Sequence, residues 1–99
     1  FAATAAAKAG VESLVKSAAL EAAASGTTVN AVAPGYVRKD RHAQAGAAPE
    51  YWRKVARLTP IGRIATPDEI AAVIVFLLGR AAGYVTGQVV EINGGQLMP

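Results

Sequence analysis

Two short runs rich in β-branched residues constrain this chain more than anything else in it: residues 27–33, closed by Pro34-Gly35, and residues 88–92, closed by Asn93-Gly94-Gly95. The first is apolar at most positions, which suits a buried parallel strand better than a half-exposed antiparallel one. Helical sequence lies between them, so the order strand, helix, strand forms a βαβ unit whose crossover is right-handed in about 98% of cases. Pro34 donates no N–H and Gly35 relaxes the backbone, so the first strand is expected to leave its ladder there. In parallel α/β sheets ligands bind at that strand edge. Pro34-Gly35 therefore marks a candidate site, beside the plainer reading of an ordinary strand exit.

Three helices are expected. Residues 4–24 are rich in Ala, Leu, Glu and Lys and end at Ser25-Gly26, a plausible glycine cap. Val11, Leu14, Val15, Ala18 and Ala22 recur there at helical spacing, an apolar stripe, while Ala5, Ala6, Ala7, Ala9 and Gly10 leave room for something to approach closely. Pro49 opens a second helix, with Tyr51, Trp52, Val55 and Leu58 on one face. It reads as a lid over a site within an insertion at residues 38–58, or equally as a surface helix packed on its own domain. Thr66-Pro67-Asp68-Glu69 is a strong helix start, with Thr66 accepting an N–H bond and Glu69 completing a capping box. The run from Ile70 to Leu78 is apolar on every face and should be covered on nearly all sides.

The expected fold class is thus α/β, in the order helix, strand, lid helix, helix, strand, within one partial domain over residues 1–99. Two strands do not make an independent sheet, because they leave backbone edges unpaired. The chain reads as the C-terminal part of a doubly wound parallel, Rossmann-like sheet, without the Gly-rich turn and acidic ribose-binding residue of such folds.

Composition narrows the function classes. With 53% hydrophobic and 17% charged residues, 99 residues hold more apolar material than a body this small easily buries, which points to a homo-oligomer. No Cys is present, so disulfides and thiolate metal sites are excluded, and no metal site is expected. The net charge of +3 is dispersed and lacks aromatic interleaving, which argues against nucleic acid. No apolar stretch approaches the ~18 residues a membrane span needs, and no signal peptide is recognisable, so the chain reads as cytoplasmic.

With those residues laid out, the chain resembles the C-terminal half of the short-chain dehydrogenase/reductase family, especially its 3-oxoacyl-carrier-protein-reductase-like members. The resemblance rests on five stretches in family order: residues 8–14 (KAGVESL), 29–37 (VNAVAPGYV), 60–63 (PIGR), 67–71 (PDEIA), and 86–88 through 93–95 (TGQ and NGG). It implies a nicotinamide cofactor, NADP or NAD, and a carbonyl or alcohol substrate. It also implies a Tyr-x-x-x-Lys motif near the start of the first helix, in which Tyr handles the proton and Lys holds the ribose hydroxyls. A nearby ammonium favours the phenolate, so the pairing is physically sound. Lys8 matches the Lys, as a catalytic and cofactor-binding residue; without the family it also fits a lysine snorkelling at the stripe's margin. Pro34, Gly35 and Val37 match cofactor-binding positions.

The chain departs from the family at the acid. Thr4 stands at the Tyr position, and Phe1 at the Tyr position of the enoyl reductases, so neither spacing supplies a phenol. Lys39 replaces the Thr that binds the cofactor's carboxamide. Three readings remain open: a fragment of an NAD(P)-dependent oxidoreductase, inactive as this chain alone; a non-catalytic oligomerisation module using the first helix and the C-terminal strand; and an enzyme with Thr4 in an altered role.

Overall fold

The computed structural model describes residues 2–38 and 49–98, so Phe1, Lys39 and residues 39–48 of the lid insertion lie outside the described residues. Helix α1 (Ala2–Ala22) is followed by strand β1 (Ala31–Pro34), helices α2 (Pro49–Leu58) and α3 (Pro67–Leu78), and strand β2 (Val89–Ile92). The two strands pair in one sheet. Ala31 N–H donates to Gln88 C=O and Gly35 N–H to Ile92 C=O, so the partners advance together and the pairing is parallel. This is the α/β order expected from sequence. By contacts the chain divides into two units, Phe1–Val32 with Val75–Val90, and Ala33–Ile74 with Glu91–Pro99.

In the first unit α1 ends where expected. A 3₁₀ turn, Ala23–Ser25, leads to Gly26 at φ 75°, whose N–H donates to Ala23 C=O, a left-handed stop that a residue with a Cβ rarely adopts. The inward face of α1 differs from the expected stripe. Ala19 is buried and Val15, Ala18 and Ala22 half-buried, but Val11 and Leu14 are exposed, as are residues 2–10. Only the second half of the helix packs within its unit, where a Cβ on Gly87 would stand 3.5 Å from the Ala19 Cβ and Lys16 Nζ donates to Gly87 C=O at 3.3 Å. Nothing lies within 4 Å of a Cβ built on Gly10, and Ala5, Ala6, Ala7 and Ala9 are exposed, so no close neighbour of Gly10 is found among the described residues.

The start of the parallel pairing is stitched by side chains that periodicity does not reveal. Asn30 donates Nδ2–H to Val85 C=O at 2.9 Å and accepts Gln88 N–H at Oδ1, while Thr86 Oγ1 accepts Val29 N–H at 3.0 Å. Residues 27–30, expected in the strand, lie before β1 and are held by these bonds together with Gly87 N–H donating to Val29 C=O at 2.8 Å and Thr27 N–H to Ala22 C=O at 3.3 Å.

In the second unit the inward face of α2 runs through Trp52, Val55, Ala56 and Thr59, with Val55 and Thr59 buried and Tyr51 and Leu58 exposed. Leu58 was expected inside. Thr59 displaces it because its hydroxyl donates back to Val55 C=O at 2.8 Å, which satisfies the group as it is buried at the helix end. Helix α3 buries Ile70, whereas Ile74, Val75, Phe76 and Leu78 stay exposed, so the expected cover on all sides is not provided by the described residues. Among them no helix is long and apolar enough to cross a membrane.

Candidate functional site

β1 ends at Pro34, and Gly35 keeps one more bond to its neighbour. Ala31 and Gly35 both donate toward β2, and backbone groups alternate between strand edges, so the missing N–H of Pro34 falls on the edge away from β2 and breaks no bond there. The strand ends at Pro34 as expected, with one further bond from Gly35 before the backbone changes partner. Val37 forms a parallel bridge with Ala65, in which Ala65 N–H donates to Tyr36 C=O at 3.0 Å and Arg38 N–H to Ala65 C=O at 2.8 Å.

This change of partner leaves two backbone groups over. With Tyr36 C=O and Arg38 N–H aimed at Ala65, the N–H and C=O of Val37 point the opposite way. On that side β2 has ended at Ile92 and turned, Gln96 N–H donating to Asn93 C=O. Among the described residues neither Val37 group has a hydrogen-bond partner. Gly35 is what brings the strand this close, since a Cβ there would stand 2.8 Å from Asn93 Cβ and 2.9 Å from its Cα. Pro34, Gly35 and Val37 thus lie on one ordered segment of the second unit. Lys8 and Thr4 belong to the first unit, one helical turn apart on the same face of α1 and both exposed.

Three features around Val37 escape sequence reading. Tyr51 of α2 meets Tyr36: the Tyr36 phenol beside it raises the Tyr51 hydroxyl above its ordinary value of 10, with burial and a hydrogen bond between the two adding to the effect. The neighbouring Trp52 stacks edge-on with Tyr51 at 5.0 Å, and its Nε1–H is buried without an acceptor among the described residues. A cavity of about 160 Å³ opens beside the bridge, lined by Tyr36, Ile61, Arg63, Glu69, Ile92 and Asn93 among others.

The capping box at α3 forms only in part, and differently from expectation. Glu69 accepts Thr66 N–H at 2.9 Å, the reciprocal half of the box, but the Thr66 hydroxyl donates to the Glu69 carboxylate at 3.2 Å rather than capping the helix. Arg63 explains why. Its Nη1 and Nη2 each donate to a Glu69 oxygen at 2.7 Å, holding the carboxylate where the hydroxyl can reach it. The Arg63 hydrogen bonds, followed by Thr66 N–H, hold the Glu69 carboxyl down at about 2 against its ordinary 4.5.

That depression has a signed consequence. Because the folded value is the lower one, the stabilisation is complete above about 4.5 and is lost as pH falls toward 2. The pair is partly exposed, so its total contribution is small. Glu69→Gln is expected to lower the melting temperature slightly at pH 6 and to narrow its gap to the unmodified protein between pH 4.5 and 2. A constant gap across that window would show that the ion pair does not titrate as described.

Residues 1–96 match the family model described as enoyl-(acyl carrier protein) reductase. The chain is 48% identical over 90 residues to a cis-4-hydroxycyclohexanecarboxylate dehydrogenase of Sinomonas cyclohexanicum, covering 91% of this chain and 35% of that protein. It is 43% identical over 93 residues to an acetoacetyl-CoA reductase of Shinella zoogloeoides, with 92% and 37% covered. A 3-oxoacyl-acyl-carrier-protein reductase of Rickettsia bellii is 40% identical over 93 residues, with 94% and 38% covered. The chain therefore spans little more than a third of the length of these curated relatives.

Proposed function

Because this chain belongs to the short-chain dehydrogenase/reductase family and resembles its 3-oxoacyl-acyl-carrier-protein reductases, we propose that it is the C-terminal portion of an NAD(P)-dependent oxidoreductase acting on a carbonyl or alcohol carbon. In this reading Pro34, Gly35 and Val37 receive the cofactor and Lys8 serves both cofactor and reaction. The observation that carries it is that the two backbone groups of Val37 have no hydrogen-bond partner among the described residues. A nicotinamide carboxamide offers one acceptor and one donor to match them, so the residues fit the group. When bound, the cofactor supplies or takes the hydride.

The chain's own residues do the rest only in part. Lys8 presents an ammonium with three donors, suited to ribose hydroxyls. Thr4, one turn before it, carries an aliphatic hydroxyl, which is a far weaker acid than a phenol and shorter. Proton transfer by a positioned acid is worth ~10²- to 10⁴-fold, and that contribution is missing here. The reading is therefore of a cofactor-binding segment with its acid lost.

A fluorescence titration with NADPH, on the protein that carries this segment, tests it. Saturable binding with no ketone-dependent loss of NADPH absorbance is the expected result. Turnover would overturn the loss of chemistry and favour an altered role for Thr4, whereas absence of saturable binding would overturn the cofactor reading.

One observation favours a second role. Val11 and Leu14 are 54% and 66% exposed on α1, an apolar pair that a second copy of the chain would cover. Leu14→Lys is expected to dissociate a homo-oligomer in light scattering at micromolar concentration. An unchanged mass would remove α1 as the interface.

A further inference from the structure

We propose that Arg63 and Glu69 are positioning residues, which act through Ala65 to hold the backbone of Tyr36, Val37 and Arg38 in the register that leaves the Val37 N–H and C=O without a partner among the described residues. Ala65 is the sole bridge partner of Val37 among the described residues, and it has no side chain beyond a methyl to hold it in place. Its position comes from its two neighbours in sequence. On one side the Ile64 carbonyl accepts a hydrogen bond from Arg63 Nη1 at 3.4 Å; on the other the Thr66 N–H donates to Glu69 Oε1 at 2.9 Å. The same guanidinium and carboxylate are joined to each other by two bonds of 2.7 Å. The clamp thus closes a ring around residues 64–66, with Ala65 at its centre presenting both backbone groups to the segment after Pro34-Gly35.

The rest of this stretch does not do the same work. Ile61 N–H donates to Gly94 C=O at 3.1 Å and Gly62 N–H to Thr59 C=O at 2.8 Å, which fix the turn before Arg63, and Glu69 N–H donates to Thr66 C=O at 3.1 Å, which ties Thr66 to α3; the Ile64 carbonyl and the Thr66 N–H are held by the ion pair. A bidentate Arg–carboxylate pair is directional as well as attractive, so it sets an orientation that a single hydrogen bond would not. Because Glu69 also sits in the first turn of α3, the helix supplies a rigid base for the clamp. The consequence for a ligand rests on the cofactor reading given above: a loop that samples other registers binds with an affinity reduced by the fraction of time it spends in the right one.

Two measurements on Arg63→Ala, Glu69→Gln and the conservative Arg63→Lys separate this inference from that reading. In amide hydrogen exchange, the Ala65 and Arg38 N–H groups should exchange roughly tenfold faster in Arg63→Ala and Glu69→Gln, with partial rescue in Arg63→Lys, while Gly35 N–H, bonded to Ile92 outside the clamp, keeps its protection. Unchanged exchange at Ala65 and Arg38 overturns the inference whatever the cofactor does. If Arg63→Ala also loses Gly35 protection through unfolding, Glu69→Gln and Arg63→Lys decide. In NADPH titration, Kd should rise roughly tenfold in the two disruptive variants and less in Arg63→Lys, following the exchange rates. An unchanged Kd alongside faster exchange reduces the pair to a structural role and overturns the inference. Should the unmodified protein bind no NADPH, the cofactor reading fails, and the exchange result alone still upholds or overturns the clamp.

Discussion

Thr4→Tyr, made in the protein that carries this segment, is expected to raise kcat for ketone reduction by NADPH about 10²- to 10⁴-fold, the usual worth of a positioned general acid. Thr4 and Lys8 are four residues apart on α1, so a phenol at position 4 lies one turn from the Lys8 ammonium on the same helix face. That ammonium favours the phenolate and so lowers the proton-transfer cost near neutral pH. The variant should also acquire a pH dependence of kcat that the unmodified protein lacks, which a nonspecific gain in stability would not produce. Both positions are exposed on α1, so the larger ring meets no packing obstacle there. A folded Thr4→Tyr protein that binds NADPH yet shows no turnover would mean that more than the acid is lost, with Lys39 the next position to restore.

Gly94→Ala is expected to cost the second unit about 2–5 kcal/mol of stability, from two separate causes. Gly94 adopts φ 63°, where a Cβ brings roughly 1–2 kcal/mol of steric strain. That Cβ would also stand 2.8 Å from the Cγ2 atoms of both Ile61 and Thr59, and overpacking of this kind costs typically ~1–3 kcal/mol. Neither neighbour yields easily. Thr59 is buried and tied to Val55 through its hydroxyl, and Ile61 N–H is bonded to the Gly94 carbonyl itself. Urea unfolding should show the loss as a lower midpoint at unchanged slope; a change below about 0.5 kcal/mol, the range of ordinary surface substitutions, would mean that the turn relaxes freely.

The parts legible in the sequence are those encoded within a few residues. Helix-forming runs, the glycine stop at Gly26 and the two β-branched runs identify the elements and their order, and the Thr66-Pro67 start places α3 to the residue. The family motifs single out Lys8, Pro34, Gly35 and Val37. What they do not reveal is which backbone groups at those positions are spoken for. That the N–H and C=O of Val37 lack a partner among the described residues depends on Ala65 occupying one edge and β2 having ended on the other, and no local pattern records either.

The helix faces divide in the same way. An apolar stripe says that α1 has a side to bury, but Val11 and Leu14 belong to that stripe and remain exposed while Ala19 is buried. Which part of a stripe is covered depends on how far the neighbouring elements reach along it. The uncovered faces of α1 and α3 fit a chain that spans little more than a third of its relatives' length.

The sequence by itself determined that this chain is α/β, that its two strands are parallel, and that the first of them ends at Pro34-Gly35, because periodicity, glycine and proline act on the backbone over one or two turns. Only the tertiary structure decided that the backbone after Pro34 takes Ala65 as its new partner, that Asn30 and Thr86 stitch the strand's start to partners 55–58 residues away, and that Arg63 and Glu69 close around Ala65. Those choices rest on hydrogen-bond partners brought together by the fold. A backbone group's partner is set by which strand edge it faces and what stands there, a property of the pairing rather than of the residue.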